Sequence, residues 1–470
     1  MIHPPPLTSI SAVTGHRRWD SRGRPTVEVV VRTGDGSTGH ALAPAGASTG
    51  SGEAVDLRDG GAAHGGYGVD RAVAQVNGPI AACLKGRDAA DQAEADAALE
   101  AADGTADFSV LGGNAAVATS LAVAQAAAAA SGLPLWRALN PAARRLPLPE
   151  VQIFGGGAHA HGRLDVQDLM VVPHGAESFA QAYEWCNDVY RAAGELLDRQ
   201  GARAGVADEG GWWPAFDSNE AALSALTRAI EDAGRTPGTE IGISLDIAAT
   251  QLADGAGGYV LRREDRRFDR DGWCELLLAW LDRYPVVSIE DPFAEDDPVG
   301  LAALTAAAAG RVQVIGDDFL VTDAARVHAA ADAGACTAVL VKPNQAGTLT
   351  RARAALDAAH ARGLTAVVSA RSGETEDVAV AHLAVGWGSG GVKVGSVTRG
   401  ERTAKWNELL RIEEELGADG RFVGWQGLGV ARRDAEGSSR AGAETAALAR
   451  TTTEPRDPAP TRTAPAGGPA

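Results

Sequence analysis

The chain is 470 residues long, enough for two domains or for one large α/β barrel with an addition, and its 45% apolar and 22% charged residues mark a globular protein. A formal net charge of −18 argues against a nucleic-acid surface, so any anionic ligand must be captured by local positive charge. The opening MIHPPPLTSI lacks the basic and apolar segments of a signal peptide, and no stretch supplies the roughly 20 uninterrupted apolar residues of a membrane span. A cytoplasmic protein with no membrane partner is the expectation.

In chain order, TVEVVVR (26–32) reads as a strand, TGDGS as a tight turn and TGHALAPAG as the returning strand of a hairpin. A Gly-rich loop, GASTGSGE (46–53), follows. Ala-rich composition then predicts helices around 88–103 and 113–131. These elements make an α+β unit of about 130 residues.

From about residue 145 the pattern changes to short apolar runs, each ending in a polar residue and each followed by a helical stretch: GISLDIA, PVVSIEDP, VQVIGDDF, AVLVKPNQ, TAVVSARS and GGVKVGS. Their markers, Asp246, Glu290, Asp317, Lys342, Ala370 and Lys393, recur at intervals of roughly 23 to 44 residues, most of them one strand plus one helix in a parallel βα unit. A repeat with polar residues at its strand ends predicts an α/β fold with a TIM-like barrel, because the C-terminal strand ends surround one mouth. Beyond Arg433 the chain turns to Pro, Thr, Ala and Gly. The expected division is a capping α+β domain (1–135), a barrel domain (136–433) and a disordered tail (434–470).

Asp246, Glu290 and Asp317 end three successive predicted barrel strands. Singly, each would serve as a helix N-cap or a solvated loop residue. Together in one mouth they would repel unless a hard divalent cation sat among them, and oxygen ligands with room for water and substrate suit Mg²⁺. Lys342 and Lys393 end two further strands. Only four of the 43 basic residues are lysine, at 85, 342, 393 and 405. Two of them at barrel strand ends suggest a need for an amine, since arginine cannot give up its proton near neutrality and lysine can when its pKa is lowered. Plain salt bridges to the acids are the alternative. GVADEGGWWP adds Asp208 and Glu209, and GGGAHAHGRLDVQDLM adds His159, His161, Gln167 and Asp168. The four cysteines, Cys83, Cys186, Cys274 and Cys336, are far apart with no CxxC pairing and read as reduced thiols.

The stretches DSRGRPTVEV, GASTG, GGAH, DEGG, SIEDPFAEDD, GDD, KPNQAGTLT, RSGETED and RIEEELG, collinear between about residues 8 and 433, resemble the enolase family. That resemblance implies an N-terminal α+β domain capping a modified βα barrel, assembled as a homodimer. It assigns Asp246, Glu290 and Asp317 to a first Mg²⁺, and Ser48 to a second Mg²⁺ bound with the substrate. Lys342 falls at the base that removes the C2 proton, Lys393 at a cation facing the substrate carboxylate, and Glu209 at the acid assisting loss of the C3 hydroxyl. His159, Gln167, Asp168, Arg371 and Ser372 fall around the hydroxyl and phosphate. The implied ligand is a small phosphorylated or phosphonylated carboxylic acid.

Five positions depart from the family pattern. Asp168 stands where Glu is usual, Ala370 where His is usual, GGGAH where Asn-Gly-Gly-x-His is usual, Trp212–Trp213 where a smaller pair is usual, and Ala45 where Ser is usual. Losing an imidazole at 370 removes a donor to phosphate and opens space. Three readings follow: a glycolytic enolase tolerating drift, a specialised paralogue forming carboxyphosphonoenolpyruvate, in which a carboxylate replaces one phosphate oxygen, and a non-catalytic binding protein.

Overall fold

The computed structural model describes residues 7–47 and 49–431. The predicted tail at 434–470 and Ser48 lie outside the described residues.

Three antiparallel strands, β1 (Ile10–Trp19), β2 (Pro25–Thr33) and β3 (Thr38–Leu42), form the N-terminal sheet in that order. The β2–β3 hairpin is where the sequence predicts it. Strand β1 was hidden because ISAVTGHRRW leaves most of its side chains exposed and offers little apolar alternation. Val27, Val29 and Val31 of β2 are fully buried, and the sheet packs against α2 (Gly113–Ala130), which follows α1 (Gln92–Asp103). The small residues of α2 permit an unusually close approach. A Cβ at Gly39 of β3 would lie 2.2 Å from the Ala122 carbonyl oxygen, so only glycine fits there.

Eight strands close the barrel: β4 (Leu148–Gly155), β5 (Asp168–Val172), β6 (Gly242–Asp246), β7 (Val286–Glu290), β8 (Gln313–Gly316), β9 (Ala338–Val341), β10 (Thr365–Ser369) and β11 (Gly391–Gly395). They neighbour one another in chain order, and β11 pairs with β4 to complete the ring. Strand β5 runs antiparallel to both neighbours, and the other pairs are parallel. A hairpin, Arg203–Val206 with Trp212–Pro214, extends the sheet from β4.

Six of these strands are the predicted runs. Strands β4 and β5 escaped them. LPEVQIFG interrupts its apolar residues with Glu150 and Gln152, yet both side chains are buried. They join a polar layer inside the barrel: Ser244 donates to Glu150 (3.1 Å), Ser288 donates to Gln313 (3.2 Å), and Gln313 donates to Thr365 (2.8 Å). Polar side chains can line this interior because each finds a partner.

The intervening helices begin on cap residues. Ser178, Ser218, Asp269, Asp297, Asp323 and Thr348 each accept a hydrogen bond from the backbone N–H three residues on. All four cysteines are free thiols, Cys186 and Cys336 buried. Among the described residues no helix is long and apolar enough to cross a membrane.

Candidate active site

Strand register places the polar residues on one level. Asp246 pairs with Asp168 on one side and with Glu290 on the other, and Lys393 pairs with Ser369. Asp246 and Glu290 end their strands, while Asp317 and Lys342 each lie one residue beyond theirs. Lys393 is mid-strand rather than at the strand end the sequence suggests. All five are buried.

Charge is compensated locally. The Lys393 ammonium donates to Asp246 (2.9 Å) and Glu290 (2.8 Å), and Lys342 donates to Asp317. Burial works against the Lys393 charge, but Asp246 and then Glu290 outweigh it and hold the ammonium well above its ordinary range. Lys342 is likewise raised, with Asp317 overcoming burial. The expected lowering of a lysine pKa is therefore not what these contacts produce, because the carboxylates dominate each amine's surroundings. Salt bridging, the alternative reading of the lysines, describes the observed contacts. Burial and then Asp246 push Glu290 well above the usual carboxylate range, whereas Lys393 overcomes burial and keeps Asp246 below it.

At a second end of the pocket His159, Asp168 and Glu209 offer ligand-type atoms within 4.8 Å of one another. His159 Nδ1 lies 2.9 Å from Asp168 Oδ1, and its Nε2 lies 2.8 Å from Ser372 Oγ and 3.7 Å from Glu209. Burial presses the imidazole down, but Asp168 and then Glu209 outweigh it and lift its pKa to about 9. Burial raises Glu209, yet His159 and Arg402 hold it below the usual carboxylate range. The carboxylates around His159 favour its protonated form, while burial raises Asp168. Asp168, one methylene shorter than Glu, reaches Glu209 through this imidazole. Gln167 donates to Asp246 (3.1 Å) and accepts from Gln251 (2.7 Å).

Elsewhere on the wall of the same pocket Arg371, 4% exposed, pairs with Glu53 at 3.1 Å. Ala370 and Ser372 flank it, and all three line one pocket with Ala47, His159, Gln167, Glu209, Asp246, Lys342 and Lys393. Of the sequence-predicted residues the pocket gathers His159, Gln167, Glu209, Asp246, Lys342, Arg371, Ser372 and Lys393; Asp168, Glu290 and Asp317 meet that group through His159, Lys393 and Lys342, and His161 and Asp208 line a neighbouring cleft.

Four contributors went unread in the sequence. Gln152 donates to Asp168 and accepts from the Gly211 N–H (2.8 Å), tying β4 to the turn that carries Glu209. Its signal was a polar residue in an apolar run. Glu53 closes the GASTGSGE loop onto Arg371, and Gln345 of KPNQ donates to Asp317 (2.9 Å). Asp291 accepts from the backbone N–H groups of Asp317 (2.9 Å) and Asp318 (2.7 Å). The departure at Gly155 also has a local cause: a Cβ there would lie 2.4 Å from the Ala207 methyl.

The chemistry of the predicted donor set suits a hard divalent cation, although the three carboxylates do not converge within 4.8 Å of one another and Lys393 bridges Asp246 and Glu290. Asp246, Glu290 and Asp317 supply only carboxylate oxygens, and Glu290 Oε1 is buried with no hydrogen-bond partner, an arrangement that a cation ligand satisfies. A family model described as "Enolase, N-terminal domain" matches residues 10–139, and one described as "Enolase, C-terminal TIM barrel domain" matches residues 143–429. The two matches cover both the capping sheet and the closed barrel with its charged mouth, and the chain therefore belongs to the enolase family of Mg²⁺-dependent hydro-lyases.

Proposed function

We propose that this chain is a specialised enolase-type lyase that dehydrates a 2-O-carboxyphosphono derivative of glycerate to carboxyphosphonoenolpyruvate. The observation that carries this reading is Ala370 in the pocket wall beside Arg371 and Ser372. A methyl group at the anion-holding end leaves room for an anion larger than phosphate, and Arg371 supplies the planar donor fork that suits either group.

The proposed reaction removes the C2 proton and the C3 hydroxyl as water. Lys342 Nζ accepts the proton, the C2–H electrons form the C2–C3 double bond, and the C3–O bond breaks. Lys342 must first be neutral, and Asp317 is what keeps it charged. If Asp246, Glu290 and Asp317 held a cation, the Asp317 charge would no longer favour the protonated amine. Mg²⁺ supplies, when bound by Asp246, Glu290 and Asp317, positive charge for the anionic substrate. Ser48 is the candidate for a second ion bound with the substrate. The departing hydroxide takes its proton from the His159–Glu209 pair, where the surrounding carboxylates favour protonated His159. Lys393 faces the substrate carboxylate, and Gln167 orients the pocket wall. Assembly as a homodimer in the cytoplasm accompanies this reading.

The test supplies Mg²⁺ and compares turnover of 2-phosphoglycerate with that of the carboxyphosphono acid. Selective use of the larger acid supports the proposal. Turnover of 2-phosphoglycerate at a housekeeping rate sinks it and leaves an ordinary glycolytic enolase, the reading favoured by the intact set of Lys342, Lys393, Glu209 and His159.

A further inference from the structure

Beside the catalytic pocket lies an open cleft of about 430 Å³, lined by Ser21, Arg22, Arg24, Ala47, Tyr67, Ala158, His161, Asp208 and Arg399. It adjoins the pocket: Ala47 lines both, and its wall residues Ala158 and Asp208 are the chain neighbours of the pocket residues His159 and Glu209.

Three guanidiniums face this cleft, and among the described residues none of them forms an ion pair. Arg22 donates to the carbonyls of Ala45 (2.8 Å) and Gly46 (2.9 Å), while its Nε is buried without a partner. Arg24 lies over the Tyr67 ring at 4.0 Å. Arg399 donates to the Ala207 carbonyl (3.2 Å) and holds a left-handed backbone, φ 73°, that aims it back over the 206–208 turn. Three guanidiniums without an ion pair, gathered on one cleft, concentrate positive charge there. Among the described residues Asp208 is the single carboxylate lining the cleft. Burial and the neighbouring Arg24 lower Arg22, while Asp20 and Asp208 act in the opposite direction.

We propose that this cleft is a second oxyanion-binding site, distinct from Arg371 and Lys393, that captures the anionic substrate at the entrance to the pocket. The inference rests on the reading of the substrate as a phosphorylated or phosphonylated acid, but not on which acid it is. A chain of net charge −18 repels such a molecule at long range, and a focused positive cleft reverses that field where entry occurs. Arg24 supplies a guanidinium already oriented by Tyr67, Arg22 supplies an unused N–H, and Arg399 closes the far wall. Asp208 opposes binding and so limits how tightly an anion is retained.

The test uses the full chain with Mg²⁺ and inorganic phosphate as probe, followed by titration calorimetry. Two classes of phosphate site are expected. The double variant Arg24→Gln/Arg399→Gln should lose one class, weakened by about tenfold or more, and keep the other. Asp208→Asn should tighten the same class, a gain that misfolding cannot imitate; circular dichroism checks the fold of each variant. Unchanged phosphate binding in the double variant, or a single class in the parent protein, overturns the proposal. Because phosphate binding is read without turnover, failure of the carboxyphosphono reading leaves this result standing, and the converse also holds.

Discussion

The two ends of the pocket are built by different means. At the His159 end every support comes from the barrel and its connections: Gln152 and Asp168 on neighbouring strands, and Glu209 on a turn pinned through Gly211. At the Arg371 end the partner is Glu53, which belongs to the loop following the N-terminal sheet and is also held by the Gly50 N–H (3.0 Å) and Gln345 (3.3 Å). One end is organised within a single domain, and the other is completed by a segment remote in sequence. The proton-handling groups are therefore preset, whereas an anion reaching Arg371 has to share or displace Glu53.

The largest effect should come from the group between the two ends. Lys342→Ala should lower kcat by about 10²–10⁴-fold, the range for a lost general base, without moving phosphate affinity comparably. Equal losses in both would assign Lys342 to binding and blur the distinction between the ends. Next, Arg371→Ala strands Glu53 as a buried charge and should cost about 3–5 kcal/mol of stability in urea unfolding. Glu53→Gln should instead strengthen phosphate binding, since the anion no longer competes; weaker binding would mean that the loop carboxylate helps hold the ligand.

A smaller change tests the preset end. Gln152→Leu removes one donor to Asp168 and the acceptor of Gly211 N–H, for about 1–3 kcal/mol, and it should shift the His159 titration while leaving Arg371-dependent phosphate binding in place. The smallest effect is on pH dependence. His159 is raised to about 9 in the folded chain, so the stability it contributes is complete below the unfolded value of roughly 6.5 and fades as pH rises through about 9. Urea midpoints across that window, with an NMR titration of the His159 ring, measure it. A ring that titrates below about 6.5 would show that burial, not Asp168, governs this end.

Much of the mouth was legible because barrel chemistry sits at regular places. Asp246, Glu290, Asp317 and Lys342 terminate apolar runs, and a run length of one strand shows which residue reaches the C-terminal end. Lys393 was misplaced by two residues because GGVKVGS gives glycine at both edges and no apolar boundary. Strands β4 and β5 were missed for a related reason. Hydrophobic periodicity reports an apolar interior, and this barrel packs Glu150 and Gln152 inward against polar partners.

The amino-acid sequence by itself determined the β2–β3 hairpin, six of the eight barrel strands, the family and most of the charged groups at the mouth, since these depend on local composition and spacing. Tertiary structure alone decided who neutralises whom. Glu53 meets Arg371 across 318 residues and Lys393 meets Asp246 across 147, and the buried carboxylates around His159 favour its protonated form. Electrostatic partners are chosen by distance in space, and linear order carries no measure of that distance.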